Sequence, residues 1–253
     1  MKVITVWNMK GGVGKTTISF NLGENLANKS DKNLFITNKV LFIDLDTQAN
    51  LTQFFEPEIT KNIKPKYEIK KENINFDIYR SNRLGTYFIK GSNKEFEFKN
   101  IKELQDLLIE IEKLHKFDYV IIDCPPNNYI QVKNALYVSD LVLVPVLLDG
   151  FSISNLNLVI ENLNTIKDIT NKEKKYRVVI NQLSRTKDKR EKLNSLLINH
   201  DYPFLNMCLR QTAIVNNSLA KFKPTFLHRK KSGITEDFEL LTKEIENILE
   251  KEI

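Results

Sequence analysis

A glycine-rich segment, residues 8–17, combines residue types that could bind and cleave a phosphate. It reads N-M-K-G-G-V-G-K-T-T and follows the apolar run Val3–Trp7. A strand that ends in such a turn and leads into a helix presents successive backbone N–H groups to an anion. Lys15 can then reach the outer phosphates of a nucleotide, and the hydroxyl of Thr16 is placed to ligate Mg²⁺. Three glycines allow the tight, partly left-handed backbone and its close approach to phosphate: Gly11, Gly12 and Gly14.

This loop departs from the usual phosphate-loop pattern at one position. The pattern G-x-x-x-x-G-K-[ST] requires a glycine five positions before Gly14, and Met9 stands there. A second lysine, Lys10, follows directly. One interpretation of Lys10 is a solvated loop lysine, and the other is a second cation for phosphate.

Two further apolar runs end in aspartates. Asp44 and Asp46 close the run Val40–Leu45, and Asp123 closes the run Tyr119–Ile122. Carboxylates at the C-terminal ends of parallel strands lie at the edge where such sheets bind ligands. There Asp123 can hold Mg²⁺ opposite a threonine hydroxyl, and the other two fit a water or metal site near phosphates. The alternative for Asp46 is that it, or Thr47 beside it, caps a following helix.

Short runs rich in Val, Ile and Leu alternate with helical patterns along most of the chain. Six runs predict strands that are covered on both faces: Val3–Asn8, Val40–Leu45, Tyr87–Lys90, Tyr119–Asp123, Leu141–Val146 and Arg177–Asn181. Five stretches have the period of a helix: Thr16–Asn28, Ile101–His115, Ile153–Thr170, Lys187–Asn199 and Thr235–Lys251. This order predicts an α/β fold with a doubly wound, mostly parallel sheet flanked by helices. We expect one domain over residues 1–253, with a surface excursion of one or two short strands at about residues 56–100.

Composition narrows the class of protein. The 253 residues contain no apolar run of 18 or more, which excludes a membrane-spanning helix on length, and the first strand begins without a signal segment. Cys124 and Cys208 have no metal-ligand spacing, so we expect reduced thiols in a cytoplasmic protein. The net charge of +6 is compatible with an anionic partner.

The loop with its two lysines resembles the deviant Walker A ATPases, specifically the ParA/MinD family of partitioning and positioning ATPases. Two more segments are similar to motifs of that family. Residues 44–50 resemble D-x-D-P-Q-x-N, with Thr47 in place of the usual proline, and residues 123–126 resemble D-x-P-P. The resemblance implies a P-loop NTPase fold, with ATP and Mg²⁺ as cofactors.

The resemblance also implies roles for individual residues. Lys10 would reach across a nucleotide-sandwich homodimer to the phosphates of the other subunit's ATP, whereas Lys15 would serve its own nucleotide. Asp46 would orient the attacking water. The residues that would hold Mg²⁺ are Thr16, Asp44 and Asp123. Those that would bind the nucleotide are Lys10, Gly11, Gly12, Val13, Gly14, Lys15, Thr16, Thr17 and Asn181.

Asn181 ends the last predicted strand, at a position where the family contacts the purine. GTPases of related folds have an aspartate two positions later, but Leu183 and Ser184 offer no such acceptor, so we expect ATP. The alternative is that Asn181 is only a turn residue at a strand end. No strong general base lies near these motifs, so we expect slow hydrolysis.

Positive charge concentrates in two late clusters, residues 185–192 and 221–231. The second contains five Lys and Arg residues and no acid. A solvated basic face is one interpretation. The other is contact with DNA phosphates regardless of sequence, which the resemblance to ParA proteins also implies. The candidate DNA-binding residues are Arg185, Lys189, Arg190, Lys221, Lys223, Arg229, Lys230 and Lys231.

These features predict a short ParA-type plasmid or chromosome partitioning ATPase. ATP would hold a homodimer that binds non-specific DNA, and hydrolysis stimulated by a centromere-binding, ParB-like partner would release it. We expect it in the cytoplasm, on the nucleoid when ATP is bound. The final predicted helix is acidic, which disfavours a membrane-surface role of the MinD kind. Alternatives are a positioning ATPase for another cargo, such as a division site, flagellum, secretion or conjugation apparatus, and a metabolic ATP-dependent ligase or synthetase of the same fold.

Overall fold

A computed structural model describes residues 1–29, 37–55, 63–71, 74–91, 96–184 and 186–251. In this part of the chain nine strands form one sheet. The strands are β1 (Lys2–Val6), β2 (Val40–Asp44), β3 (Tyr67–Lys71), β4 (Ile74–Arg80), β5 (Thr86–Ile89), β6 (Tyr119–Asp123), β7 (Leu141–Val146), β8 (Tyr176–Leu183) and β9 (Phe204–Arg210). The helices are α1 (Lys15–Asn28), α2 (Asn50–Gln53), α3 (Glu103–Glu112), α4 (Ile130–Val138), α5 (Gly150–Thr170), α6 (Lys187–Asn199), α7 (Ala213–Leu219), α8 (Thr225–His228) and α9 (Gly233–Glu250).

The sheet has the strand order β3-β4-β5-β2-β6-β1-β7-β8-β9. Every pairing is parallel except those of β4, which runs antiparallel to both neighbours. Strand β1 lies between β6 and β7, so the chain leaves it toward β2 on one side and later returns on the other. Ligands bind beyond the carboxyl ends of strands at such a reversal of strand order.

Two apolar clusters cover the two faces of the sheet. Strands β2 and β7 are buried at every residue, as their unbroken apolar sequences require. One cluster joins Trp7 and the α3 and α4 side chains to one face, and the other joins Phe20 and α9 to the opposite face. The predicted doubly wound, mostly parallel α/β fold is therefore confirmed.

All six predicted strands are present, and two have the predicted ends, β6 and β7. Helix α6 also begins and ends where predicted. Among the elements that were not predicted are β9 and α4. Strand β9, F-L-N-M-C-L-R, forms one edge of the sheet and buries only two of its seven residues, so its sequence lacks a continuous apolar run.

The segment expected as a surface excursion contributes to the sheet. Strands β3 and β4 form an antiparallel pair that extends the sheet beyond β5. Ile69 and Ile78 of this pair are buried in the core. Of residues 56–100, the ranges 56–62, 72–73 and 92–95 lie outside the described residues.

The lengths and hydropathy of the helices show whether any of them could span a membrane. No helix among the described residues is both long enough and apolar enough to cross a bilayer. Helix α9 instead packs along β9 and α1, with buried residues at helical spacing such as Phe238, Leu241 and Ile245.

Candidate nucleotide-binding site

The glycine-rich loop connects β1 to α1 at the predicted ligand edge of the sheet. Gly12 and Gly14 have φ of 74° and 91°, which only glycine adopts readily. Gly14 is the N-cap of α1, and no side chain among the described residues caps this helix end. The N–H groups of the first turn therefore point toward the position where a phosphate would bind.

The two lysines of the loop have different partners. The ammonium of Lys15 donates to the carbonyl oxygen of Lys10 at 2.9 Å, so it stays within the loop. Burial lowers the pKa of Lys15, which the charges of Asp123 and other nearby groups partly oppose. The ammonium of Lys10 instead donates to both carboxylate oxygens of Asp149, at 2.8 and 2.7 Å. The Lys10 side chain is only 25% exposed, so it is not a freely solvated loop lysine.

Asn8 holds the backbone from which Lys10 extends. Its side-chain amide donates to the carbonyl oxygen of Pro145 on β7 at 2.8 Å, and its Oδ1 accepts from the N–H of Lys10 at 2.9 Å. Asp149 lies three residues after β7. Asn8 thus links the Lys10 backbone to β7, and Asp149 follows the same strand in the chain.

Asp123 is fully buried at the end of β6. Its two oxygens accept from the hydroxyls of Thr16, at 2.7 Å, and Ser19, at 2.8 Å. Burial, with Asp44 nearby, raises the pKa of Asp123 well above its usual range. A buried carboxylate beside a hydroxyl and a phosphate loop suits a hard cation, because Mg²⁺ needs only one or two protein oxygens besides phosphates and water. No cluster of three or more His, Cys, Asp and Glu side chains suited to a metal occurs among the described residues.

Asp44 and Asp46 lie side by side at the end of β2, but in different environments. Asp44 is buried and accepts from the N–H of Asp46 at 3.1 Å and from both the N–H and the hydroxyl of Thr52, at 2.9 and 3.0 Å. Burial raises the pKa of Asp44. Asp46 is partly exposed and accepts from the N–H of Gln48. Helix α2 begins at Asn50 and has no side-chain cap, so neither Asp46 nor its neighbour caps it.

Asn181 lies against the phosphate loop. Its side-chain amide donates to the carbonyl oxygen of Val13 at 2.8 Å, and its Oδ1 accepts from the N–H of Gln182. Asn181 is therefore more than a turn residue, since it ties β8 to the loop.

A cavity of about 660 Å³ opens beside the end of β8. It is lined by Leu183, Ser184, Arg210, Gln211, Thr212, Ala213 and Asn216.

The two remaining predicted nucleotide-binding residues, Val13 and Thr17, accept hydrogen bonds through their backbone carbonyl oxygens. The Val13 side chain is fully buried in the core. The Thr17 carbonyl accepts from the Asn21 amide within α1.

The candidate DNA-binding residues fall into three groups. Arg185 lies outside the described residues. Lys189 is partly buried, and its ammonium donates to the carbonyl oxygen of Leu148 at 2.6 Å. The others have exposed side chains: Arg190, Lys221, Lys223, Arg229, Lys230 and Lys231.

Sequence reasoning missed three residues that contact the candidate site. Ser19 follows Thr16 by three positions on α1, and this helical spacing could have indicated it. Thr52 lies eight residues beyond Asp44 in a segment with no strong pattern. Asp149 is 139 residues from Lys10, and no local signal pairs the two.

Comparison with known proteins decides the family. Residues 1–176, more than two thirds of the chain, match AAA_31, a family of AAA domains of ParA/MinD type. The chain belongs to this family. The predicted relationship to ParA-type partitioning ATPases is thereby confirmed, and with it the P-loop class of the fold.

ParA-type proteins resemble the chain over its whole length. The virulence plasmid ParA family protein pGP5-D of Chlamydia psittaci is 28% identical over 98% of this chain and 96% of its own. A plasmid partition protein of Borrelia burgdorferi, solved with AMPPNP, is 25% identical with a TM-score of 0.72, covering 100% of this chain and 99% of its own.

A metabolic enzyme shares the fold alone. Cobyrinic acid a,c-diamide synthase of Mycobacterium smegmatis, solved with an ATP analogue and magnesium, has a TM-score of 0.71 at 20% identity, over 96% of this chain and 93% of its own. The predicted cofactors, ATP and Mg²⁺, agree with what these two structures contain.

Proposed function

We propose that this ParA-type chain is a DNA-partitioning ATPase that acts as an ATP-held homodimer. The observation that carries the proposal is that the two lysines of one loop have different hydrogen-bond partners. Lys15 stays within the loop, at its own phosphate position, while Lys10 extends to Asp149. Because Lys15 serves the nucleotide of its own subunit, Lys10 can serve the nucleotide of the other subunit.

ATP binding uses the loop from Lys10 to Thr17. The N–H groups at the N-terminus of α1 and the ammonium of Lys15 would neutralise phosphate charge. The cavity at the end of β8, two residues beyond Asn181, is large enough for the base and ribose. Bound Mg²⁺ would supply charge neutralisation at the outer phosphates, with Thr16 and Asp123 holding it and Asp44 supporting the water around it.

Hydrolysis relies on positioning rather than on a strong base. Asp46 is the more exposed of the two β2 carboxylates, and we assign it the orientation of the attacking water. Asp44 is occupied by hydrogen bonds from Asp46 and Thr52, which keep the β2 end in place. Slow turnover suits a protein whose nucleotide state times its release from a partner, here a ParB-like centromere-binding protein.

DNA binding is assigned to the exposed cations of residues 190–231. Their contacts would be with phosphates and would be independent of base sequence. In the cell such a protein would be cytoplasmic and associated with the nucleoid while ATP is bound.

A second candidate is a positioning ATPase for another cargo, which would use the same dimer and differ only in its partner. The shared fold with cobyrinic acid a,c-diamide synthase makes a metabolic ATP-dependent enzyme a further candidate. However, the proposed partitioning role assigns the cavity at the end of β8 to the nucleotide base, and it requires no separate substrate pocket.

The decisive experiment measures binding to random-sequence duplex DNA with ATP, with ADP and without nucleotide, across a salt series. We expect binding with ATP only, weakening steeply as salt rises. Lys10→Ala should abolish the ATP-dependent dimer, seen by light scattering, while monomers still bind nucleotide. DNA binding that is indifferent to nucleotide would contradict the partitioning role, and an unaltered dimer in Lys10→Ala would contradict the cross-subunit role.

A further inference from the structure

Phe222 has a backbone conformation that bulky residues seldom adopt. Its φ is +54°, in the left-handed region. The turn that holds it follows α7: the N–H of Phe222 donates to Leu219 at 2.9 Å, and the N–H of Lys223 donates to Ser218 at 3.0 Å. This pair of bonds is the Schellman ending of a helix, in which the left-handed position is normally glycine. A phenylalanine there is strained, so its side chain requires an explanation.

Core packing provides only part of that explanation. Phe222 is 36% exposed, and Leu227, on the short helix α8, is 53% exposed. Phe222 adds backbone strain and still leaves about a third of its surface in water, so the packing of its covered part does not by itself account for a phenylalanine at this position. Strained residues with exposed side chains are instead typical of contact sites.

Cations neighbour Phe222 in the sequence. Lys221 and Lys223 flank Phe222 directly, and both are exposed. Three more exposed cations follow Leu227 within four residues: Arg229, Lys230 and Lys231. We call the segment from Lys221 to Lys231 the basic-aromatic patch. Because it contains no acid, its charge is complementary to a polyanion.

A buried hydrogen bond anchors the patch to α1, the helix that follows the phosphate loop. Thr225 is fully buried, and its N–H donates to Oδ1 of Asn21 on α1 at 2.9 Å. The amide of Asn21 donates in turn to the carbonyl of Thr17, in the first turn of α1, which follows the phosphate loop directly. A patch anchored in this way loses little conformational entropy when it binds a partner.

We propose that Phe222 enters a groove of duplex DNA between two rows of phosphates. The cations on both sides bind the phosphates, and the ring contacts sugar or base edges at the groove floor. Apolar side chains flanked by cations are used in this way by proteins that bind the minor groove. The proposal rests on the DNA-binding role proposed above, and it adds a contact that is not electrostatic.

The test separates stability from DNA affinity with one substitution. Phe222→Gly removes the ring and relieves the left-handed strain, and this relief offsets part of the packing that is lost, so the midpoint of thermal unfolding should fall by only a few degrees. Affinity for random duplex DNA in the presence of ATP should fall about tenfold. The slope of log affinity against log salt should not change, because the phosphate contacts remain.

Three variants serve as controls. Phe222→Tyr keeps the ring and should keep the affinity. Lys223→Ala should lower the affinity and reduce the salt slope by about one. Leu84→Ala removes another exposed apolar side chain, 62% exposed and outside the patch, and should leave DNA binding unchanged.

Two outcomes would overturn the proposal while the DNA-binding role stands. One is an unchanged DNA affinity in Phe222→Gly. The other is that Phe222→Gly retains DNA binding but loses binding to vesicles that contain anionic phospholipid, which would assign the ring to a membrane surface. If the unmodified protein fails to bind DNA with any nucleotide, the DNA-binding role and this proposal are overturned together.

Discussion

At the scale of single residues, the absence of a Cβ atom at Gly14 determines the conformation of the phosphate loop. A Cβ atom at Gly14 would lie 2.2 Å from Nδ2 of Asn181, where no real contact can exist. Asn181 cannot easily move away, because its amide is bonded to Val13 and its oxygen to Gln182. Gly14 is therefore required twice, for its left-handed φ and for the space that Asn181 occupies.

We predict that Gly14→Ala lowers the free energy of unfolding of the nucleotide-free protein by about 2 kcal/mol. About 1–2 kcal/mol comes from the left-handed conformation, and displacing the Asn181 hydrogen bond adds to it. Denaturant titration measures the change. Gly11→Ala is the matched control, since a Cβ there meets nothing within 4 Å, and it should cost less than about 0.5 kcal/mol. Equal losses in both variants would contradict the prediction.

At the scale of elements, α1 is the helix that organises the site. Its first two turns present Lys15, Thr16 and Ser19 to the loop and to Asp123. Its later turns are anchored by Glu24, which is buried and accepts from Arg83 at 2.8 Å. The guanidinium of Arg83 also lies over two aromatic rings, those of Phe20 and Phe55. The position of the loop thus depends on an ion pair far from the phosphates.

We predict that Arg83→Met destabilises the protein by about 3 kcal/mol, because it leaves the Glu24 carboxylate buried without its guanidinium. The double variant Glu24→Gln, Arg83→Met should recover part of this loss, since it removes the buried charge. Denaturant unfolding of both variants is the measurement. If the double variant is as unstable as the sum of its single variants, the ion pair is not what anchors α1.

At the scale of the whole molecule, the proposed dimer depends on a competition for Lys10. In the single chain its ammonium is bound by Asp149, and in the proposed dimer it contacts the other subunit's phosphates. Leaving Asp149 is then part of the free-energy cost of dimerisation. A γ-phosphate offers more negative charge than one carboxylate, which explains how ATP would favour the dimer and its loss would favour separation.

We predict that Asp149→Asn strengthens ATP-dependent dimerisation. A partly exposed ion pair contributes about 0.5–1 kcal/mol, and a dimer breaks two of them. The dissociation constant should therefore fall about 5- to 30-fold, as measured by analytical ultracentrifugation with ATP. Because Lys10→Ala alone should abolish the dimer, adding Asp149→Asn in that background should not restore it, since no lysine is left to release. Weaker dimerisation in Asp149→Asn alone would show that Asp149 supports the dimer instead.

The sequence by itself determined the α/β class and predicted the residues at the centre of the candidate site. Strands β6 and β7 have the predicted ends because runs buried on both faces must be apolar throughout. The loop residues Lys15 and Thr16, and Asp123 at its strand end, are recognisable because each has a fixed local spacing. Such features depend on neighbours in the chain, so a linear pattern contains them.

Only the tertiary structure decided what each of these groups touches. The pairing of Lys10 with Asp149 joins residues 139 positions apart, and the contact of Asn181 with Val13 joins residues 168 apart. The edge strand β9 and the left-handed turn at Phe222 also have no strong local signal. Their physical reason is the same: each depends on which surfaces the packed sheet and helices bring together, and packing is a property of the whole chain.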